Sequence, residues 1–387
     1  MDVSDPKLYE ENSFHPMFRE LRANDPVHYC EESRYGPYWA ITRYEDIVAV
    51  DMNHRVFSSA AGGISIFDVP VDESPSFINM DPPEHRRQRS AVTPVVSKEN
   101  LAEMETEVRE RVSRILDQVP LNTPFDWVST VANELPLQML STLFAIPEED
   151  RYHMLHWTNE QVAFVGGGRP DPKDAGDHPS FSQYFLELRR RRSEEETLTP
   201  DLVSHLIHSP TPIPDKAFLS HLRLLVVGAN DTTRTSIAGG LEAVIEHGLY
   251  DELQNNRALI PTAVEEIIRY VTPVVHQRRT ALADHEIGGR TIRKGDKVVM
   301  FYVSGNRDEA VFSDPDRLVL DRTEPRILSF GSGIHHCIGF RLARMQLQHV
   351  WEGMLERFSG FELVDKPVRL RSNFVQGFHS MPVIARA

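Results

Sequence analysis

The sequence predicts a mainly α protein with a smaller β part. Long stretches repeat apolar residues at helical spacing, most clearly Leu222, Val226, Ala229, Thr233, Ile237, Leu241 and Val244 on one stripe. Strand and hairpin signals are confined to three separated segments, at about residues 27–50, 276–303 and 372–384. The 387 residues are 40% hydrophobic and 26% charged, the composition of a folded globular chain. At about 150 residues per domain the length allows two or three domains. The β segments come from both ends of the chain, and this favours one integrated domain over 1–387.

In chain order, Pro6 to Asn24 reads as a helix with Leu8, Phe14, Met17, Phe18 and Leu21 inward. Val27 to Val50 reads as a short β region around the turn residues Gly36 and Pro37, and Ser58 to Pro70 as a loop without a period. Pro83 to Ile146 is mostly helical, with Val128, Val131, Leu135, Met139, Leu143 and Ile146 at helical spacing. Phe164 to Pro179, rich in Gly and Pro, reads as a mobile loop between two helices. The run Arg189 to Arg192 is balanced by Glu194 to Glu196 and reads as a solvated helix face. A helix from about Lys216 to His247 would be roughly 45 Å long at 1.5 Å per residue and should cross the interior. Hairpin signals follow at Gly288-Gly289 and Lys294-Gly295-Asp296. The last long helix is Gly339 to Phe358, and Ser372 to Ile384 returns to β.

Charge and punctuation narrow the function. With 42 Lys+Arg against 57 Asp+Glu, the formal charge of −15 argues against general binding to nucleic acid or anionic membranes. No stretch approaches the ~20 apolar residues that span a bilayer, and the start is acidic and polar, unlike a targeting signal. The two cysteines, Cys30 and Cys337, make neither a disulfide framework nor a zinc-type pair. These features lead to the expectation of a cytoplasmic protein.

The chemistry concentrates in Phe330-Gly331-Ser332-Gly333-Ile334-His335-His336-Cys337-Ile338-Gly339. A cysteine just before a helix sees unpaired N–H groups and the positive end of the dipole, which favours thiolate. Gly333 and Gly339 allow tight turns and close approach of a flat ligand. A buried core thiol would explain a lone Cys, but it needs no flanking glycines, no preceding Phe and no neighbouring His. A Cys–His nucleophile lacks the local context of the known families.

The pattern Phe330-x-x-Gly333-x-His335-x-Cys337-x-Gly339 resembles the heme-binding loop of the cytochromes P450. The resemblance runs from about Asp5 to Val383. It implies the P450 fold, with the long central helix crossing heme b (iron protoporphyrin IX) and Cys337 as the metal ligand. Gly228-Ala229-Asn230-Asp231-Thr232-Thr233, poor helix formers inside a helix, resembles the oxygen-activation motif, with Asp231 and Thr232 as the catalytic proton relay. His85 and Arg89 (one helix face), Arg279 and His335 would bind the two propionates, as a dianionic edge requires. Phe330, Gly333 and Gly339 would shape the loop. Glu266 and Arg269 resemble the structural E-x-x-R pair, with Arg317 as its third member.

Within the family the chain is similar to bacterial hydroxylases of medium-chain alkanes and fatty acids, through Asp25 to Cys30, Gly36 to Trp39, Pro124 to Val128, Asn230 to Arg234, Arg290 to Asp296 and Ser372 to Val375. Ala229 stands where glycine is common, His336 where arginine is, and Phe340 where asparagine is. By position the substrate pocket would include Leu224, Val227, Gly228, Val275 and Phe374, and its apolar character implies an apolar substrate. The implied reaction is monooxygenation by dioxygen, first of all terminal hydroxylation of an alkane or fatty acid. Tailoring of a terpenoid, steroid or polyketide is the alternative, followed by peroxygenase or isomerase chemistry. The chain carries no G-x-G-x-x-G unit for its own reductase, so a ferredoxin and an NAD(P)H-dependent ferredoxin reductase are the implied partners. Arg341 and Arg344, with Arg86 and Arg87, would form their docking patch.

Overall fold

A computed structural model describes the chain except residues 69–74, 166–177, 195–200, 211–212 and 324–325, and the side chains of 162–165. Its helices are α1 (Pro6–Glu10), α2 (His15–Asn24), α3 (Tyr44–Met52), α4 (Glu84–Ser90), α5 (Lys98–Leu116), α6 (Glu134–Phe144), α7 (Arg151–Val165), α8 (Phe181–Ser193), α9 (Leu202–Ile207), α10 (Asp215–Glu246), α11 (Tyr250–Asn255), α12 (Ile260–Val271), α13 (Tyr302–Gly305) and α14 (Phe340–Arg357). Its strands are β1 (Val27–Cys30), β2 (Tyr38–Ile41), β3 (Phe57–Ser58), β4 (Pro124–Asp126), β5 (His276–Ala281), β6 (His285–Ile287), β7 (Arg290–Ile292), β8 (Lys297–Phe301), β9 (Gly360–Leu363), β10 (Val368–Arg369), β11 (Phe378–Ser380) and β12 (Pro382–Arg386).

The 32-residue α10 is the axis. From Thr233 to Val244 every residue is buried, so partners surround the helix rather than line one face. Its small residues set how closely they approach. A Cβ on Gly240 would lie 2.7 Å from Ile267 of α12, and one on Gly353 of α14 would lie 2.8 Å from Leu116 of α5. One apolar core joins α5, α6, the C-terminal half of α10, α12 and α14, and a second joins α6 to α9 with the N-terminal half of α10. The main sheet has the order β1-β2-β8-β5-β3, in which β2 and β8 run parallel and the other pairs antiparallel. A second sheet, β4-β12-β9, ties residues near 125 to the C-terminal segment.

Three expectations change. The first helix is two, α1 and α2, because Asn12 takes a left-handed turn with φ 54° and Pro16 opens the second helix. The 27–50 region is not wholly β, since Tyr44 to Met52 forms α3, which buries Ile47 and Val50 at i and i+3. Pro124 to Asp126 is a strand, paired with β12. The helix extends through Val165, and the core of the Gly/Pro-rich 164–179 segment lies outside the described residues, as do Glu195 and Glu196 of the charge run. In that run Arg190 pairs with Glu187 at 2.8 Å and with Glu194 at 2.9 Å on an exposed face of α8.

Candidate active site

The cysteine loop is held from behind by two buried polar clusters. On α12, Arg269 donates to both oxygens of Glu266 at 2.7 Å, with the pair almost fully buried. Arg269 also donates to the carbonyls of Asn306, Pro315 and Arg317, the last at 3.2 Å. The third side chain of this cluster is Arg322, whose Nε reaches Glu266 Oε2 at 2.9 Å. Arg317 is exposed and supplies only its carbonyl, contrary to the sequence expectation. The reason is geometric: the turn at Asp314, with φ 42°, sends the Arg317 side chain outward and brings Arg322 back five residues later. Asn306 then accepts from Leu328 N at 2.7 Å and donates to Ser329 Oγ at 2.8 Å, which carries the support into the loop.

The second cluster centres on Asp51 at the end of α3. It accepts from Ser332 N at 2.7 Å, from Arg279 at 2.7 Å and from Tyr302 at 3.2 Å. Gly333, at φ 61°, lies so close that a Cβ there would sit 2.6 Å from the Asp51 carbonyl. Gly333 is therefore required by the backbone of α3 and does not line the cavity, whereas Gly331 and Gly339 do. Nothing in the sequence singled out Asp51, one of three acids in an ordinary helix.

A cavity of about 970 Å³ lies between this loop and α10. Phe330, His335, Cys337 and Gly339 line one side, and Leu224, Val227, Gly228, Asp231 and Thr232 the other, with Phe374 at the edge. Val275 is not part of it. Val274 lines the cavity instead, while Val275 is buried among Tyr38, Phe301 and Val303, because successive residues of an extended chain point to opposite faces. The sequence missed Phe77, Ile78, Leu140, Leu143 and Phe144, which complete the apolar wall. The first two lie beyond an aperiodic loop, and the α6 residues read as ordinary core.

Cys337 N–H donates to the Phe330 carbonyl at 2.8 Å, and α14 starts three residues later with Gly339 as its cap. Burial pushes the thiol up, against the Gly339 N–H that pulls it down. The helix end alone thus does not make a thiolate; burial is the larger effect. His85 and Arg89 share a face of α4. The His85 and His335 rings meet edge-on at 4.4 Å, and Arg89 donates to the His336 carbonyl at 2.6 Å. Burial first, then neighbouring cations, lowers both histidines, His85 to about 4. His85 Nε2 and both ring nitrogens of His335 are buried without a partner among the described residues. Arg279 does not reach the cavity; its guanidinium is paired with Asp51 and adds positive charge behind His335.

On α10, the Thr232 hydroxyl donates to the Gly228 carbonyl at 2.8 Å. Asp231 is fully buried, and its Oδ1 pairs with Arg234 while Oδ2 has no partner among the described residues. Burial pushes the Asp231 carboxyl up to about 6, with Arg234 acting against it. An apolar chamber thus has a thiol, the Arg89 guanidinium and the His335 imidazole on one side, and an acid and a hydroxyl on the other; His85 does not line it and packs against His335 from outside.

The comparisons with known proteins agree with this arrangement. Residues 242–381 match the family model described as Cytochrome P450. The chain is 37% identical to linalool 8-monooxygenase of Pseudomonas putida, over 99% of this chain and 98% of that protein. It is 33% identical to the methyl-branched lipid omega-hydroxylase of Mycobacterium bovis, over 89% and 83%. The structure of cytochrome P450-153 from Novosphingobium aromaticivorans superposes with a TM-score of 0.88 at 38% identity, covering 100% of this chain and 99% of that one. The chain belongs to the cytochrome P450 family. It is a monooxygenase with the P450 fold, and the cofactor of its family is heme.

The residues present fit that cofactor. The unpartnered nitrogens of His85 and His335, with Arg89 beside them, suit an anionic edge, and Cys337 offers a soft ligand on the same wall of an apolar cavity. No helix among the described residues is long and apolar enough to cross a membrane.

Proposed function

We propose that the chain works as one heme-thiolate monooxygenase domain over 1–387, and that it hydroxylates the terminal carbon of a medium-chain alkane or fatty acid. The observation that carries the reading is the apolar cavity that Cys337 shares with Asp231 and Thr232. Cys337 would ligate heme b, and Arg89, His335 and His85 would hold its propionates, with Arg279 adding charge from behind. Bound heme supplies the activation of dioxygen: with two external electrons and two protons, one oxygen atom enters a C–H bond and the other leaves as water.

The chain's own residues do the rest. Leu224, Val227, Leu140 and Phe144 exclude water and present an alkyl chain to the loop. Asp231, with its carboxyl near neutrality, can take up and release a proton at Oδ2 at working pH. The Thr232 hydroxyl keeps acceptor capacity while it donates to Gly228, so it can pass a proton along the same wall. The activities named for the relatives support an apolar substrate, and the omega-hydroxylase supports a terminal carbon. Electrons would come from a ferredoxin and its NAD(P)H-dependent reductase.

The test is the absorption spectrum of the dithionite-reduced protein before and after carbon monoxide. The long-wavelength Soret band of thiolate ligation should appear and be lost in Cys337→His. Spin-state titration should then respond to alkanes and fatty acids. A response to terpenes or steroids alone would sink the substrate assignment.

A further inference from the structure

We propose that Arg234, anchored from α7 by Asn159, is a positioning residue for Asp231: it holds one carboxyl oxygen and leaves the other for proton transfer at the cavity. The inference rests on reading Asp231 as the proton-handling acid.

Four observations support it. Asp231 lines the cavity and Arg234 does not, so the guanidinium takes Oδ1 from outside the cavity while Oδ2 stays unpartnered. The ion pair lies within one helix, at i,i+3, and both members are buried, so it joins no two elements and bears the full desolvation cost of two charges. The bond that crosses between helices is the one from Arg234 Nη1 to Asn159 Oδ1, at 3.2 Å. On the same two helices, Arg234 Nε, both amide atoms of Asn230, Thr158 Oγ1 and Thr235 Oγ1 are buried without partners among the described residues. Buried polar groups left unsatisfied are costly, and helices packed for stability alone would carry apolar side chains there.

The electrostatics point the same way. Burial raises the Asp231 carboxyl, and Arg234 is the one charge that counters it. No other described charged or titratable group, on α6, α7, α8, α12 or α14, contributes. Asn159 is neutral, so it acts by holding the guanidinium in place. Since α7 also lines the cavity through Gln161, the position of α7 over α10 and the readiness of the acid are mechanically linked.

The experiment uses the heme-loaded enzyme. The infrared band of the protonated carboxyl, identified by its loss in Asp231→Asn, is titrated in the ferric state, and product per reductant consumed is followed against pH. Arg234→Gln should move the midpoint of the band upward by about 1–3 pH units, the size of a lost neighbouring cation, and the pH profile should move with it at unchanged KM. Arg234→Lys should restore part of the shift. Asn159→Ala, on the partly exposed α7, should shift the midpoint the same way by less, and it decides the matter if Arg234→Gln does not fold. Midpoint and profile unmoved while only thermal stability falls would overturn the inference. If Asp231→Asn itself leaves coupling and pH profile unchanged, the acid reading fails first, and this inference with it.

Discussion

Thr232 and Asp231 stand one residue apart on α10 and make opposite kinds of contact. Thr232 spends its proton on the Gly228 carbonyl, whereas Asp231 is pinned through one oxygen and free at the other. A hydroxyl that relays protons can be lost without loss of electron delivery. Thr232→Ala should therefore go on consuming reductant while product per reductant falls about a hundredfold or more, the usual weight of one acid–base group, and peroxide rises to match. Measured coupling equal to that of the unaltered enzyme would remove Thr232 from the relay. The residue scale also shows why the cysteine loop was legible in the sequence and its supports were not. Phe330 to Gly339 is contiguous, and each residue type carries its own reason. Asp51 reaches Ser332 from 281 positions away, and one acid among three in a short helix carries no sequence signal. Val274 and Val275 differ by one step of an extended chain, so transferring a pocket residue by position was a choice between two faces.

At the scale of elements, α10 and α14 were legible because long apolar stripes at helical spacing announce them. The segment between α13 and α14 was not, because it is turns held by side chains from elsewhere. Arg317 and Arg322 illustrate the cost. Both lie in that segment, and proximity to Pro315-Asp316 favoured the wrong one. The structure sets their energetics far apart. Arg322 is buried on a Glu266 carboxylate that is itself 1% exposed, so Arg322→Ala leaves that carboxylate with Arg269 and the Val319 N–H but without its second cation, and should cost about 3 kcal/mol. Arg317→Ala removes an exposed side chain whose carbonyl stays in place, and should change stability by less than about 0.5 kcal/mol. Urea unfolding of the two variants reads this difference directly. Heme retention should follow the same order, since the α12 cluster reaches the cysteine loop through Asn306 and Ser329. Equal midpoints for the two variants would mean that the cluster does not brace the loop.

At the scale of the whole molecule, a chain of net charge −15 must still accept electrons from a carrier. Small ferredoxins are acidic, so the long-range field of this protein would repel one, and only a local basic face could steer it in. The four arginines read from the sequence are not equivalent there. Arg344 pairs with Glu265 and Arg87 with Glu84, so half of that charge is already answered. Arg86 and Arg341 are exposed, and Arg341 lies over the Phe340 ring at 4.5 Å, at the start of the helix that follows Cys337. Phe340 and His336, the two departures from the commoner residues of the loop, meet edge-on at 5.0 Å and put an aromatic pair under Arg341 and Arg344. Reversing Arg344 would disturb its bond to α12, which confounds docking with folding. Arg86→Glu with Arg341→Glu is the cleaner pair. At low ionic strength it should slow the second-order electron transfer from an acidic ferredoxin by about tenfold. The difference from the unaltered enzyme should fade as salt brings the screening length to about 8 Å or less. Product per reductant and the carbon monoxide spectrum should not change, because neither arginine lines the cavity. A rate unaltered across ionic strength would mean that the carrier docks elsewhere on the protein.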